Sequence, residues 1–132
     1  MVLVNGHGGN RGPLTTLAIE EGCLTANYWE LVSAEERLRL FPGDSGSIGH
    51  AGQAETSFML AIAPGLVRAP LAAFEPIAAE NTALLVPDMG ATGVLGDPSA
   101  ADAELGARFL AAAADALAAH LDQLPNPTNG GS

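Results

Sequence analysis

The stretch Val2-Leu3-Val4-Asn5-Gly6-His7-Gly8-Gly9-Asn10 decides how this chain is read. Its apolar, β-branched start is too short for a helix and reads as a buried strand. The run stops at Asn5, a glycine-rich turn follows, and Asn10 and Pro13 then open a helical pattern. A strand that ends in a tight turn and feeds a helix is the βα unit of open α/β sheets. In such sheets ligands sit beyond the carboxyl ends of the strands. His7 falls in that turn. The neighbouring Gly6, Gly8 and Gly9 permit positive φ and a close backbone approach to a ligand or metal. From the residues alone, His7 is either a donor in a site or an ordinary turn histidine, because one histidine does not make a site.

Working outward, 132 residues correspond to one domain. It is expected over residues 1–124, followed by a flexible polar tail over 125–132. A domain of this size buries roughly two-thirds of its unfolded surface, enough for a real core. Charged residues are only 15% of the chain against 48% hydrophobic, so an exposed apolar patch is expected. Oligomer contacts are one use for such a patch. The net charge of −10, with five basic residues scattered along the chain, argues against a nucleic-acid partner. No apolar run approaches the ~20 residues of a membrane span. The N-terminus lacks the charged and apolar regions of a signal peptide, so a cytoplasmic location is expected. Cys23 is the single cysteine, which rules out an internal disulfide and reads as a buried inert thiol.

Residues 13–21 read as a short helix closed by Gly22. Leu24 to Trp29 reads as a second strand with Tyr28 and Trp29 at its end. The two aromatic residues are then either core packing or a wall of a substrate pocket. Ser33-Ala34-Glu35-Glu36 is a capping box that starts a helix to Leu40. Residues 41–49 form a turn-rich loop leading into His50, with Asp44 as either a turn cap or a ligand. From Ala54 the spacing of Phe58, Met59, Ile62 and Leu66 predicts an apolar helical stripe. Glu55 lies in its first turn, where the helix dipole favours a carboxylate. Ala83 to Val86 is a further short strand candidate. Asp97 and Pro98 cap a last helix to about Leu124, with Leu105, Phe109, Ala113, Ala116, Leu117, Leu121 and Leu124 as its buried stripe and His120 on its solvated side.

Three stretches carry a family resemblance. Asn5-Gly6-His7-Gly8-Gly9-Asn10 resembles the Asn-Gly-His-Gly-Gly-Asn signature of the creatininase (creatinine amidohydrolase) family. His50-Ala51-Gly52-Gln53-Ala54-Glu55-Thr56-Ser57 is similar to its His-Ala-Gly-x-x-Glu-Thr-Ser signature, and Gly93-Val94-Leu95-Gly96-Asp97-Pro98 to its third. The order is the family's, and the match covers the C-terminal half of a typical member. The third segment also resembles the branch that trims the mycofactocin precursor peptide.

The fold implied is α/β, a three-layer sandwich with a mostly parallel sheet flanked by helices, truncated at the N-terminus. The activity implied is metal-dependent hydrolysis of a C–N bond in a small-molecule amide or a peptide, at a binuclear centre of zinc, manganese or iron. His7 and Glu55 correspond to metal ligands, and His50 to the histidine that carries a proton from water to the leaving nitrogen. An imidazole suits that task because its pKa lies near neutrality. Beside the resemblance, backbone around Gly8, Gly9 and Gly52 is a candidate to polarise the scissile carbonyl, and Trp29 is a candidate pocket wall as the alternative to packing.

The family's remaining ligands come from an upstream Glu-x-His motif and an aspartate that precede the first shared strand. They have no counterpart here. The expectation is therefore a site completed by an N-terminal segment or partner chain, or by self-association. The competing expectation is a non-catalytic homologue acting as an oligomeric or interaction subunit.

Overall fold

The computed structural model describes residues 1–42, 50–72, 93–94 and 96–124. The chain divides into two compact units, Met1–Val32 with Ala112–Ser132, and Ser33–Ala111.

The first unit is built on a β-α-β element. Strand β1 (Val2–Asn5) passes through a 3-10 turn (Gly8–Asn10) into helix α1 (Arg11–Glu21) and returns as strand β2 (Leu24–Asn27). The strands are parallel, in the register Val2↔Leu24 to Asn5↔Asn27. Parallel pairing requires a crossover, and α1 supplies it. Gly22 closes α1 in the left-handed conformation, φ 61°, with its N–H on the Ala18 carbonyl, as its position in the sequence predicts. Cys23 and Ala26 are buried in this unit.

Two expectations are corrected here. The opening run is a strand, but it is not buried. Val4 is 53% exposed, and only Asn5, at 1%, is fully enclosed. Among the described residues β1 has one strand neighbour, so its apolar side chains lack the cover that a wider sheet gives. The second strand ends at Asn27, and Tyr28–Leu31 turn into a short helix, α2. Tyr28 and Trp29 therefore open a helix and pack edge to face on each other, with ring centroids 5.4 Å apart.

The second unit starts with helix α3 (Ala34–Leu40). Ser33 caps it by accepting the Glu36 N–H at 3.2 Å, as the capping box predicts. The Glu36 carboxylate pairs with the Arg39 guanidinium at 2.5 and 2.7 Å, which holds the Glu36 carboxyl below its usual range. Helix α4 (Gln53–Ile62) follows, then helix α5 (Ala103–Asp122), of which the residues from Ala112 belong to the first unit. Phe41, Phe58 and Phe109 form the core, with ring centroids 4.9 to 5.7 Å apart.

Of the stripe expected on α4, Phe58 is buried, while Met59 and Ile62 are exposed and Leu66 lies beyond the helix. On α5, Phe109 and Ala113 are buried, Leu121 is exposed and His120 is half-buried. The last helix also starts later than Asp97 suggests. Asp97 and Pro98 open a 3-10 turn (Pro98–Ala100), and Asp102 caps α5 by accepting the Glu104 and Leu105 N–H groups at 2.8 and 3.0 Å. The candidate strand at 83–86, Asp44 with most of its loop, and the tail from 125 lie outside the described residues.

Helices α4 and α5 meet at Gly106. A Cβ there would sit 2.1 Å from the Ser57 carbonyl oxygen, closer than atoms can approach. Gly106→Ala should therefore force the helices apart. Phe109→Ala should lower stability by about 3–5 kcal/mol, the usual range for a truncated core phenylalanine. Denaturant unfolding followed by circular dichroism checks both. A loss below 1 kcal/mol for Phe109→Ala would contradict its place at the centre of this core.

Candidate functional site

The residues singled out by sequence form two groups. His7, Gly8, Gly9 and Trp29 belong to the first unit; His50, Gly52 and Glu55 belong to the second.

In the first group the turn is built from Asn5. Its side chain is buried at the carboxyl end of β1, and a buried amide must find partners at both ends. The Asn5 Oδ1 accepts the His7 N–H at 3.0 Å, and the Asn5 Nδ2 donates to Asn27 Oδ1 at 2.7 Å. His7 then caps the 3-10 turn, its Nδ1 accepting the Gly9 N–H at 3.1 Å. In the neutral ring that acceptor role leaves the proton on Nε2. None of Gly6, Gly8 and Gly9 adopts positive φ. A Cβ on Gly6 or Gly8 meets nothing, whereas one on Gly9 would lie 3.1 Å from the His7 Nδ1. One glycine of the three thus sits where a Cβ would crowd its surroundings, and the crowding comes from the imidazole rather than the backbone angle.

The second group surrounds the start of α4. His50 is half-buried and precedes Ala51, a non-glycine residue at φ 54°. That left-handed conformation costs roughly 1 kcal/mol or more, so something must hold it. The Ala51 N–H donates to Glu55 Oε2 at 2.5 Å, and the Ala51 carbonyl accepts from the Thr56 hydroxyl at 3.3 Å. Gly52 is the residue that precedes the helix, and it is buried. Glu55 therefore does work as a helix-start acid, and through it the helix fixes the backbone that carries His50.

The segment that follows the third stretch joins this group. Gln53 Nε2 donates to the Ala100 carbonyl at 3.0 Å. The buried Ser57 hydroxyl donates to the Gln53 carbonyl at 2.6 Å and accepts the Asp102 N–H at 3.0 Å. The second motif is thus bonded to the segment that directly follows the third, more than forty residues on in sequence. Asp97 lies at the end of the third motif. The Ser99 hydroxyl and then the Ser99 N–H, the latter 2.9 Å from Oδ1, hold its carboxyl below the ordinary value of 3.8.

Sequence reasoning missed Asn27, Glu30 and Arg11. Asn27 Nδ2 donates to Glu30 Oε2 at 2.7 Å, and Glu30 Oε1 pairs with the Arg11 guanidinium. Two asparagines ending two successive strands were the available signal.

As donors, an imidazole nitrogen and a carboxylate oxygen are types that zinc accepts. Both are presently engaged by backbone N–H groups. A ligand bond through His7 Nδ1 takes the lone pair that Gly9 uses. A bond through Nε2 moves the proton to Nδ1, which then can no longer accept. Either way the Gly9 N–H must be released when a metal binds. Among the described residues no three His, Cys, Asp or Glu side chains are grouped to hold a metal ion. No helix among them is long and apolar enough to cross a membrane.

The family model described as creatinine amidohydrolase, the creatininase family, matches residues 1–121. The mycofactocin precursor peptide peptidase of Mycobacterium tuberculosis (strain CDC 1551 / Oshkosh) is 38% identical over 124 residues, covering 87% of this chain and 45% of that protein. A crystal structure of creatinine amidohydrolase (creatininase) aligns with TM-score 0.70 at 24% identity, covering 95% of this chain and 56% of the other. A Zn–Zn form of a creatininase variant aligns with TM-score 0.71 at 23% identity, covering 95% and 56%. These structural likenesses establish the α/β sandwich fold expected from sequence. The chain spans about half the length of the relatives it matches, 45% of the peptidase.

Two measurements test the local chemistry. Gly9→Ala should push the imidazole off its cap, so the His7 ring ¹⁵N shifts should lose the Nε2–H pattern; an unchanged pattern contradicts the contact. Asp97 has a depressed pKa, so its contribution is present above the ordinary 3.8 and lost as pH falls through the folded value. Ser99→Ala should move the Asp97 titration midpoint, read by NMR, up toward 3.8.

Proposed function

Because the chain belongs to the creatininase family, we propose that it forms part of a metal-dependent amidohydrolase that cleaves a C–N bond. The observation that carries this reading is the second motif, in which the strained Ala51 turn places His50 directly before a helix whose Glu55 carboxylate fastens that turn. A plain helix start has no need of a left-handed alanine beside a histidine.

In this reading His7 and Glu55 would each supply one donor, a ring nitrogen and a carboxylate oxygen, to divalent-cation binding, and the Zn–Zn form of a structural relative supports zinc. When bound, such a cation lowers the pKa of water toward neutrality. His50 would take the proton released from water and return it to the leaving nitrogen, the general acid–base work that an imidazole most often does. The backbone at Gly8 and Gly9, and that at Gly52, would each be candidates to polarise a scissile carbonyl, and Trp29 to pack against substrate. The Gly9 N–H becomes available for that task once His7 releases it. The resemblance to the mycofactocin precursor peptide peptidase favours a peptide amide as substrate. Two donors hold a cation only weakly, so this reading needs further donors beside His7 and Glu55.

Zinc titration against a chromogenic chelator tests the reading. His7→Ala and Glu55→Gln should each weaken zinc binding by ~10-fold or more, since even outer-shell partners contribute that much. His50→Ala should leave zinc affinity nearly unchanged while hydrolysis of a peptide amide falls by ~10²–10⁴. Unaltered zinc binding in both ligand variants would sink the assignment.

A further inference from the structure

We propose that Asn27 and Glu30 are positioning residues for His7, acting through Asn5. The inference rests on the reading of His7 as a metal ligand only for its consequence, not for its geometry. Four side chains form one continuous series: Arg11 to Glu30, Glu30 to Asn27 at 2.7 Å, Asn27 to Asn5 at 2.7 Å, and Asn5 to the His7 N–H at 3.0 Å. Register brings the two asparagines opposite each other at the carboxyl ends of paired parallel strands.

The series has a direction, and charge sets it. An ionised carboxylate only accepts hydrogen bonds, so Glu30 obliges Asn27 to turn its Nδ2 outward. The Asn27 Oδ1 must then face Asn5, which answers with its Nδ2. The Asn5 Oδ1 is left for the His7 N–H, and the His7 turn closes on it. Each amide would otherwise have two orientations, and the wrong one at Asn5 would set an NH₂ group against the His7 N–H. Stability alone does not account for the arrangement. The Arg11–Glu30 pair has side chains 55% and 45% exposed, and exposed ion pairs contribute little to folding. Its effect is to fix Glu30 where it orients two amides, one of them buried.

The direction can be inverted and restored by mutation in the full chain. Asn27→Asp sets a carboxylate against the Glu30 carboxylate and breaks the series. Glu30→Gln removes the group that dictates orientation. The double variant Asn27→Asp/Glu30→Gln exchanges donor and acceptor at that one link, yet still presents an acceptor to the Asn5 Nδ2. Three readings are taken: exchange of the His7 backbone amide, the His7 imidazole tautomer by ¹⁵N NMR without metal, and zinc affinity. Each single variant should speed His7 amide exchange by ~10-fold, erode the Nε2–H tautomer and weaken zinc binding by ~10–100-fold. The double variant should return all three toward the parent values. Circular dichroism checks that each variant folds, and Glu30→Gln carries the test if Asn27→Asp does not. Unchanged His7 exchange and tautomer in a folded single variant, or a double variant no better than the singles, overturns the inference. Movement of the two His7 readings with zinc affinity constant upholds the positioning role and counts against His7 as a ligand.

Discussion

The buried Asn5 amide is the constraint on which the first motif depends. A fully enclosed amide has two donors and one acceptor oxygen to satisfy, and leaving them unpaired is costly. Here the Asn5 Oδ1 accepts the His7 N–H on one side, and its Nδ2 donates to Asn27 on the other. This single side chain therefore joins the turn after β1 to the end of β2. The His7 ring position then follows from the turn, because Nδ1 takes the next free N–H, that of Gly9. A strand terminus, a second strand and an imidazole are tied together by side-chain hydrogen bonds.

The second motif is organised by a comparable device. There the constraint is Ala51, held left-handed by the Glu55 carboxylate and the Thr56 hydroxyl of the helix that follows. Gln53 and Ser57 tie the same helix start to the segment after the third motif, through Ala100 and Asp102. Gly106 lets α5 come close enough for these bonds to form. Nearly every polar residue of the second signature has a bonding task, so the motif is as much an architecture as a list of reactive groups.

Much of this was legible in the chain. The β-α-β start, the Gly22 cap, the Ser33 cap and the start of α4 follow from local rules of turn and cap chemistry, which act over a few residues. The family assignment follows from three short motifs in order. Burial was harder to read. Val4, Ile62 and Leu121 look like core and are exposed, because exposure depends on which neighbours cover a face, and sequence periodicity reports only that a face exists. Asp97 looked like the cap of the last helix, but a 3-10 turn intervenes and Asp102 takes that role. The partnership of Asn5 with Asn27 was not visible because it depends on strand register, a property of the folded pair.

The most direct measurement is X-ray absorption at the zinc edge on the zinc-loaded chain and on its His7→Ala variant. An imidazole outer-shell signature should be present in the parent and reduced in the variant. Identical spectra would mean that the turn built on Asn5 holds His7 for some purpose other than binding metal.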